Sequence, residues 1–166
     1  KLMEVPGVEL VELEFLLRES DYVSIHAPST PETRGMINRE RLELMKPQAY
    51  LINTARGPLI DETALIEALE NNTIAGAALD VYTEEPLPET HPIRRAPRCL
   101  LTPHNAFNAV EAAEIMSIQS AENVLEVMRG RRPRNVCNPA VWESPRLRVG
   151  GKDHEDQSGA GGSGSR

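Results

Sequence analysis

The chain has 166 residues, 40% apolar and 26% charged, the balance of a soluble globular domain long enough to bury its own core. Its net charge of −7 argues against a general nucleic-acid or membrane-surface role, either of which calls for a basic face. No apolar run approaches the roughly 18 residues of a membrane span, and no basic, apolar and small-residue pattern of a signal peptide opens the chain. The two cysteines, Cys99 and Cys137, have no metal-ligand spacing, so no metal is expected and a reduced, cytoplasmic setting is the simplest expectation. Lys1 stands where a Met is usual, inside what reads as a loop, so a natural beginning upstream is expected.

Residues 8–12 read as a short strand or lead-in and residues 14–19 as a helical turn. Tyr22-Val23-Ser24-Ile25 is a strand ending at His26-Ala27-Pro28. Residues 38–45 form a helix with Asn38 as N-cap, ended by Pro47. Residues 49–54 are an apolar strand. Asp61 caps the next helix, whose Ala64, Leu65, Ala68 and Leu69 share one face, and Asn71-Asn72 ends it. Residues 74–81, apolar but for Asp80, read as a strand covered on both faces. Residues 99–102 are a further strand. Residues 108–129 form the longest helix, with Ala112, Ile115, Met116, Ala121, Val124, Leu125 and Met128 spaced for a buried stripe, and Gly130 ends it. Arg129, Arg131, Arg132 and Arg134 suit the negative end of that helix better than a nucleic acid. His91 and His154 have no evident partner and read as surface residues.

Alternation of strand and helix argues for a parallel α/β sheet. Ligands bind such sheets beyond the carboxyl ends of the strands. His26, Arg56, Asp80 and His104 fall at or just after four such ends. Three segments there carry chemistry: Asn53-Thr54-Ala55-Arg56-Gly57, Asp80-Val81-Tyr82-Thr83-Glu84-Glu85-Pro86 and Leu101-Thr102-Pro103-His104. An arginine can hold a carboxylate through its planar fork. A histidine, whose unperturbed side chain titrates near about 6.5, can move a proton at neutral pH. A glutamate behind the histidine favours its charged form.

On these segments, with Val23-Ser24-Ile25-His26-Ala27-Pro28, Thr30, Thr33 and the closing Asn135-Val136-Cys137-Asn138-Pro139, the chain resembles the C-terminal half of a D-isomer-specific 2-hydroxyacid dehydrogenase. The resemblance runs from about Gly7 to about Trp142. It implies a Rossmann-like parallel sheet, the second half of a cofactor domain over residues 1–130, and a long helix leading back toward a substrate domain. Residues 131–142 would rejoin that domain, and residues 143–166, rich in Gly, Ser and charge, would be a disordered tail.

The same resemblance implies the roles. Arg56 binds the substrate carboxylate, His104 is the general acid in reduction and the base in oxidation, and Glu85, rather than Glu84, sits behind His104. Asp80 helps hold the nicotinamide carboxamide. His26, Ala27, Pro28 and Thr33 line the dinucleotide, Thr54 and Ala55 match backbone contacts near the nicotinamide ribose, and Arg56 also counts among the cofactor contacts. His104, Asn105 and Ala106 complete the cofactor contacts; many members have a hydrophobic residue and a glycine where this chain has Asn105 and Ala106. The cofactor implied is NAD, with NADP open, because no Gly-rich phosphate-binding turn follows a strand here and the residue that reads the ribose is absent with it. The implied partners are a small 2-hydroxy or 2-oxo acid and, at full length, a second copy in a homodimer, with no nucleic acid or membrane. Relatives that act as dinucleotide-sensing corepressors make a binding protein the alternative to the enzyme. Taken alone, without the phosphate-binding turn, the chain is expected to show no dehydrogenase turnover.

Overall fold

A computed structural model describes residues 6–144. The expected tail, and His154 in it, lie outside the described residues apart from residues 143 and 144. The chain divides into two compact units between Phe107 and Asn108.

The first unit is a four-stranded sheet, β1 (Tyr22–Ile25), β2 (Tyr50–Asn53), β3 (Gly76–Leu79) and β4 (Cys99–Leu101), in sequence order and parallel throughout. Parallel neighbours need crossovers. α2 (Arg39–Leu44) supplies the first and α3 (Glu62–Glu70) the second, with α1 (Leu13–Glu19) ahead of β1. A 3₁₀ turn, Pro92–Arg95, takes the place of a helix between β3 and β4.

Local chemistry sets these elements. Asn38 accepts the N–H of Arg41 and caps α2, and Asp61 accepts the N–H of Ala64 and caps α3. The apolar face of α3 buries Ala64, Leu65, Ala68 and Leu69. Together with Leu17, Leu42, Val23, Ile25, Leu51 and Leu79 they form one core on one side of the sheet. Burying a leucine such as Leu65 or Leu69 contributes about 1.5–3 kcal/mol. The alternate residues Tyr22, Tyr50 and Leu100 face outward, Tyr22 stacked on Tyr50 with ring centroids 5.6 Å apart.

Residues 8–12 are not a strand. They are the lead-in to the first helix: Val8 and Leu10 are 70% and 80% exposed, and among the described residues they pair with no strand.

The second unit holds α4 (Val110–Met128), ended by Gly130 at φ 72°, and a 3₁₀ turn, Pro139–Glu143. Arg129 and Arg131 pair with Glu126 at the end of α4. The spaced apolar residues are present but not buried: Ile115 and Met116 are 54% and 55% exposed, Val124 59% and Met128 66%. A helical stripe is buried only when another surface lies on it, and α4 has no buried residue. No described helix is long and apolar enough to cross a membrane.

Candidate active site

Four loops leave the carboxyl ends of the four strands. After β2, the side chain of Asn53 turns inward and is 1% exposed. Its Oδ1 accepts the N–H of Ala55 and its Nδ2 donates to the carbonyl of Arg56, both at 3.0 Å, so the Thr54-Ala55-Arg56 loop wraps one buried amide. Arg56 itself is exposed, with Nη1 donating to the Ala55 carbonyl at 2.6 Å.

After β3, Asp80 is buried and fully engaged. Its Oδ1 accepts the Thr102 hydroxyl at 2.5 Å and the Asn105 N–H at 3.0 Å, and its Oδ2 accepts the Ala106 N–H at 2.8 Å. Burial alone pushes this carboxyl up, but the Thr102 hydroxyl and the two backbone N–H groups outweigh it and hold Asp80 below the usual aspartate range. Asp80, Asn105 and Ala106 therefore meet one another first, in a knot that closes the turn after β4.

His104 lies inside that turn at φ 51°, a left-handed conformation that histidine tolerates better than most side chains. The turn brings Nδ1 to 2.7 Å from Oε2 of Glu85. Oε1 of Glu85 accepts the N–H of Tyr82 at 2.9 Å. The Tyr82 N–H, the His104 hydrogen bond and the charges of His104 and Arg56 keep Glu85 below the usual glutamate range despite partial desolvation. Glu84 is exposed and makes no such contact. Beside the pair lies a cavity of about 570 Å³, walled by Tyr82, Glu85, Leu87, Arg94, Thr102 and His104, within the usual size for a small-molecule site.

The loop after β1 stands apart from this group. His26 Nε2 lies 2.8 Å from the Ser24 hydroxyl, and the Thr33 hydroxyl donates to the Pro28 carbonyl at 2.7 Å. No hydrogen bond ties His26, Ala27, Pro28 or Thr33 to Arg56, Glu85 or His104.

Several working residues escape a reading of the sequence. Asn53 and Thr102 stand in the quoted segments but gain their roles only through the fold. The Tyr82 hydroxyl reaches the carbonyls of Thr102 at 2.8 Å and Leu79 at 3.1 Å, joining the ends of β3 and β4. Arg94 donates to the carbonyls of Pro88 and Leu87 and fixes the chain after Glu85. His91 is no surface residue. Its Nδ1 accepts the Ile93 N–H, and its Nε2 stands 3.4 Å from Glu62. Among the described residues no cluster could hold a metal ion, and both cysteines are free.

A parallel sheet with its functional loops gathered at the carboxyl ends defines a Rossmann-like, dinucleotide-binding α/β domain. The chain belongs to the D-isomer-specific 2-hydroxyacid dehydrogenase family, residues 1–106 matching that family's NAD-binding domain. It is 47% identical over 137 residues to a glyoxylate reductase of Thermofilum pendens, covering 82% of this chain and 40% of that protein. Among solved structures, it is similar to the NAD-complexed D-isomer-specific 2-hydroxyacid dehydrogenase of Lactobacillus delbrueckii ssp. bulgaricus, at 35% identity and TM-score 0.69, over 77% of this chain and 43% of that one. It is also similar to the enzyme of the same description from Xanthobacter autotrophicus Py2 in complex with NADPH and MES, at 40% identity and TM-score 0.67, over 78% of this chain and 53% of that one. The chain thus spans about two fifths to half the length of these relatives.

The cofactor is NAD(P). Buried Asn53 holds the loop after β2 and buried Asp80 the turn after β4, and Thr54, Arg56 and His26 are exposed at the strand ends. Among the described residues no Gly-rich turn joins a strand to a helix.

Proposed function

We propose that this chain is the proton-transferring half of the cofactor domain of an NAD(P)-dependent enzyme that interconverts a D-2-hydroxy acid and its 2-oxo acid. The observation that carries the reading is the 2.7 Å contact between His104 Nδ1 and Glu85, with Arg56 close enough for its charge to act on the same glutamate. Arg56 grips the substrate carboxylate. Glu85 occupies Nδ1 of His104 and leaves Nε2 for the substrate oxygen. In reduction Nε2 delivers a proton to the carbonyl oxygen; in oxidation it removes one from the hydroxyl. Glu85, itself held by the Tyr82 N–H, stabilises the charged imidazole at the stage when it carries the extra proton. When bound, a nicotinamide would supply the hydride in reduction and take it in oxidation. His26, Ala27, Pro28, Thr33, Thr54, Ala55, Asp80, Asn105 and Ala106 belong to the loops that border the dinucleotide, the last three by holding the His104 turn.

The test is NADH and NADPH oxidation by the intact protein across a panel of 2-oxo acids, beginning with glyoxylate, beside a His104→Ala variant. Turnover of one acid that falls by at least about a hundredfold in the variant is the expected result. Dinucleotide binding without turnover of any acid overturns the reading in favour of a sensor.

A further inference from the structure

The first turn of α3 carries a carboxylate turned away from solvent. The side chain of Glu62 is only 14% exposed, although an acidic group can favour a helix N-terminus from the surface. Both of its oxygens are engaged. Oε1 accepts the N–H of Thr83 at 2.8 Å, and Oε2 stands 3.4 Å from Nε2 of His91. Because His91 Nδ1 accepts the N–H of Ile93, the ring's proton sits on Nε2, facing Glu62. Glu62 thus holds the Asp80–His91 stretch at residues 83 and 91, on either side of Glu85.

The contact at Thr83 bears directly on the site. Successive backbone N–H groups bind two carboxylates: that of Tyr82 binds Glu85, and that of Thr83 binds Glu62. The peptide between them has its carbonyl oxygen 2.1 Å from where a side chain on Gly57 would begin. One edge of the Tyr82–Thr83 peptide is therefore held by Glu62, and the other lies against the loop that carries Arg56. A peptide held on both edges has little freedom to turn, which restrains one side of the two backbone rotations of Tyr82 that set the direction of its own N–H.

We propose that Glu62, steadied by His91, is a positioning residue for the His104–Glu85 pair, fixing the Tyr82–Thr83 peptide so that the Tyr82 N–H meets Glu85. The inference rests on the catalytic reading of that pair, and two readouts separate it from that reading. The first is the pH titration of the Tyr82 amide in the intact protein labelled with ¹⁵N-tyrosine, assigned with Tyr82→Phe. This amide follows protonation of Glu85, whose charged and hydrogen-bonding neighbours among the described residues are the Tyr82 N–H, His104 and Arg56. In Glu62→Ala its midpoint is expected to rise toward the usual glutamate range. Glu62→Asp, which keeps the charge but withdraws the reach, is expected to do the same. Glu62→Gln, which keeps an oxygen for Thr83, is expected to stay near the parent. The second is turnover: kcat falls about tenfold in Glu62→Ala, KM for the 2-oxo acid holds, and the acid limb of the pH profile moves to higher pH. A folded Glu62→Ala or Glu62→Asp protein with both the amide titration and the acid limb unmoved overturns the proposal. If Glu62→Ala does not fold, Glu62→Asp decides it. Undiminished turnover in His104→Ala overturns the catalytic reading, and any catalytic role for Glu62 with it, whatever the amide does.

Discussion

A side chain on Gly57 would place its Cβ 1.9 Å from the carbonyl carbon of Tyr82. The loop that carries Arg56 and the loop that carries Glu85 are thus in direct backbone contact, and only a residue without a side chain permits it. Both atoms that Gly57→Ala would meet first are backbone, so one loop must move. Overpacking of this kind costs about 1–3 kcal/mol. Urea unfolding of Gly57→Ala is expected to show that loss, with weaker turnover because Arg56 and Glu85 separate. A midpoint equal to the parent's would show that the two loops move apart freely.

Asn53→Ala is expected to act on Arg56 without touching it. The buried amide satisfies the Ala55 N–H and the Arg56 carbonyl together. Removing it strands two backbone groups at a cost of about 1–3 kcal/mol. If Arg56 holds the substrate carboxylate, the kinetic mark is a rise in KM for the 2-oxo acid larger than the fall in kcat. Steady-state kinetics reads this, and an unchanged KM in a folded variant argues that Arg56 does not depend on the Asn53 scaffold.

The contrast between Asn53 and Asp61 explains what the sequence can and cannot convey. Asp61 caps α3 through an N–H three residues on, so its role follows from local spacing. The strands and the helix caps are legible for the same reason. The Glu85–His104 contact spans 19 residues, and only the family resemblance points to it. The bonds from Asp80 to Asn105 and Ala106 span 25 and 26 residues, and nothing near Asp80 in the chain shows which turn it closes. His91 reads as surface for the same reason: its partner Glu62 lies on another element. The stripe of α4 misleads in the opposite direction. Periodicity reports which residues share a face, and says nothing of whether a surface lies against it.

Asp80→Asn is expected to loosen the turn that holds His104. The carboxylate accepts from three donors, whereas an amide offers one oxygen and sets an NH₂ against a donor. Loss of charge-assisted bonds of this kind costs about 1.5–3 kcal/mol at pH 7. The pH dependence follows from the direction of the shift. Asp80 is held below the usual aspartate range, so its contribution is fully present above roughly pH 3.9, the unfolded value, and is lost as pH falls through the lower folded value. Unfolding of parent and variant from pH 7 downward should therefore converge in acid. Parallel curves across that window would place the stabilisation elsewhere.

Glu85→Gln separates the charge of the pair from its geometry. Glutamine keeps an oxygen for the Tyr82 N–H but carries no charge to favour a protonated imidazole. Turnover is expected to fall by about a hundredfold, within the usual range for general acid–base partners. In the parent, Glu85 is held below the usual glutamate range, first by the Tyr82 N–H and then by His104. Its ionised form is therefore intact above roughly pH 4.3, and the acid limb that it sets falls below that value. The variant has no group there to titrate, so that limb disappears while the rest of the profile keeps its shape at lower rate. Measured kcat against pH for both proteins reads the difference, and a variant that retains the limb assigns it to a group other than Glu85.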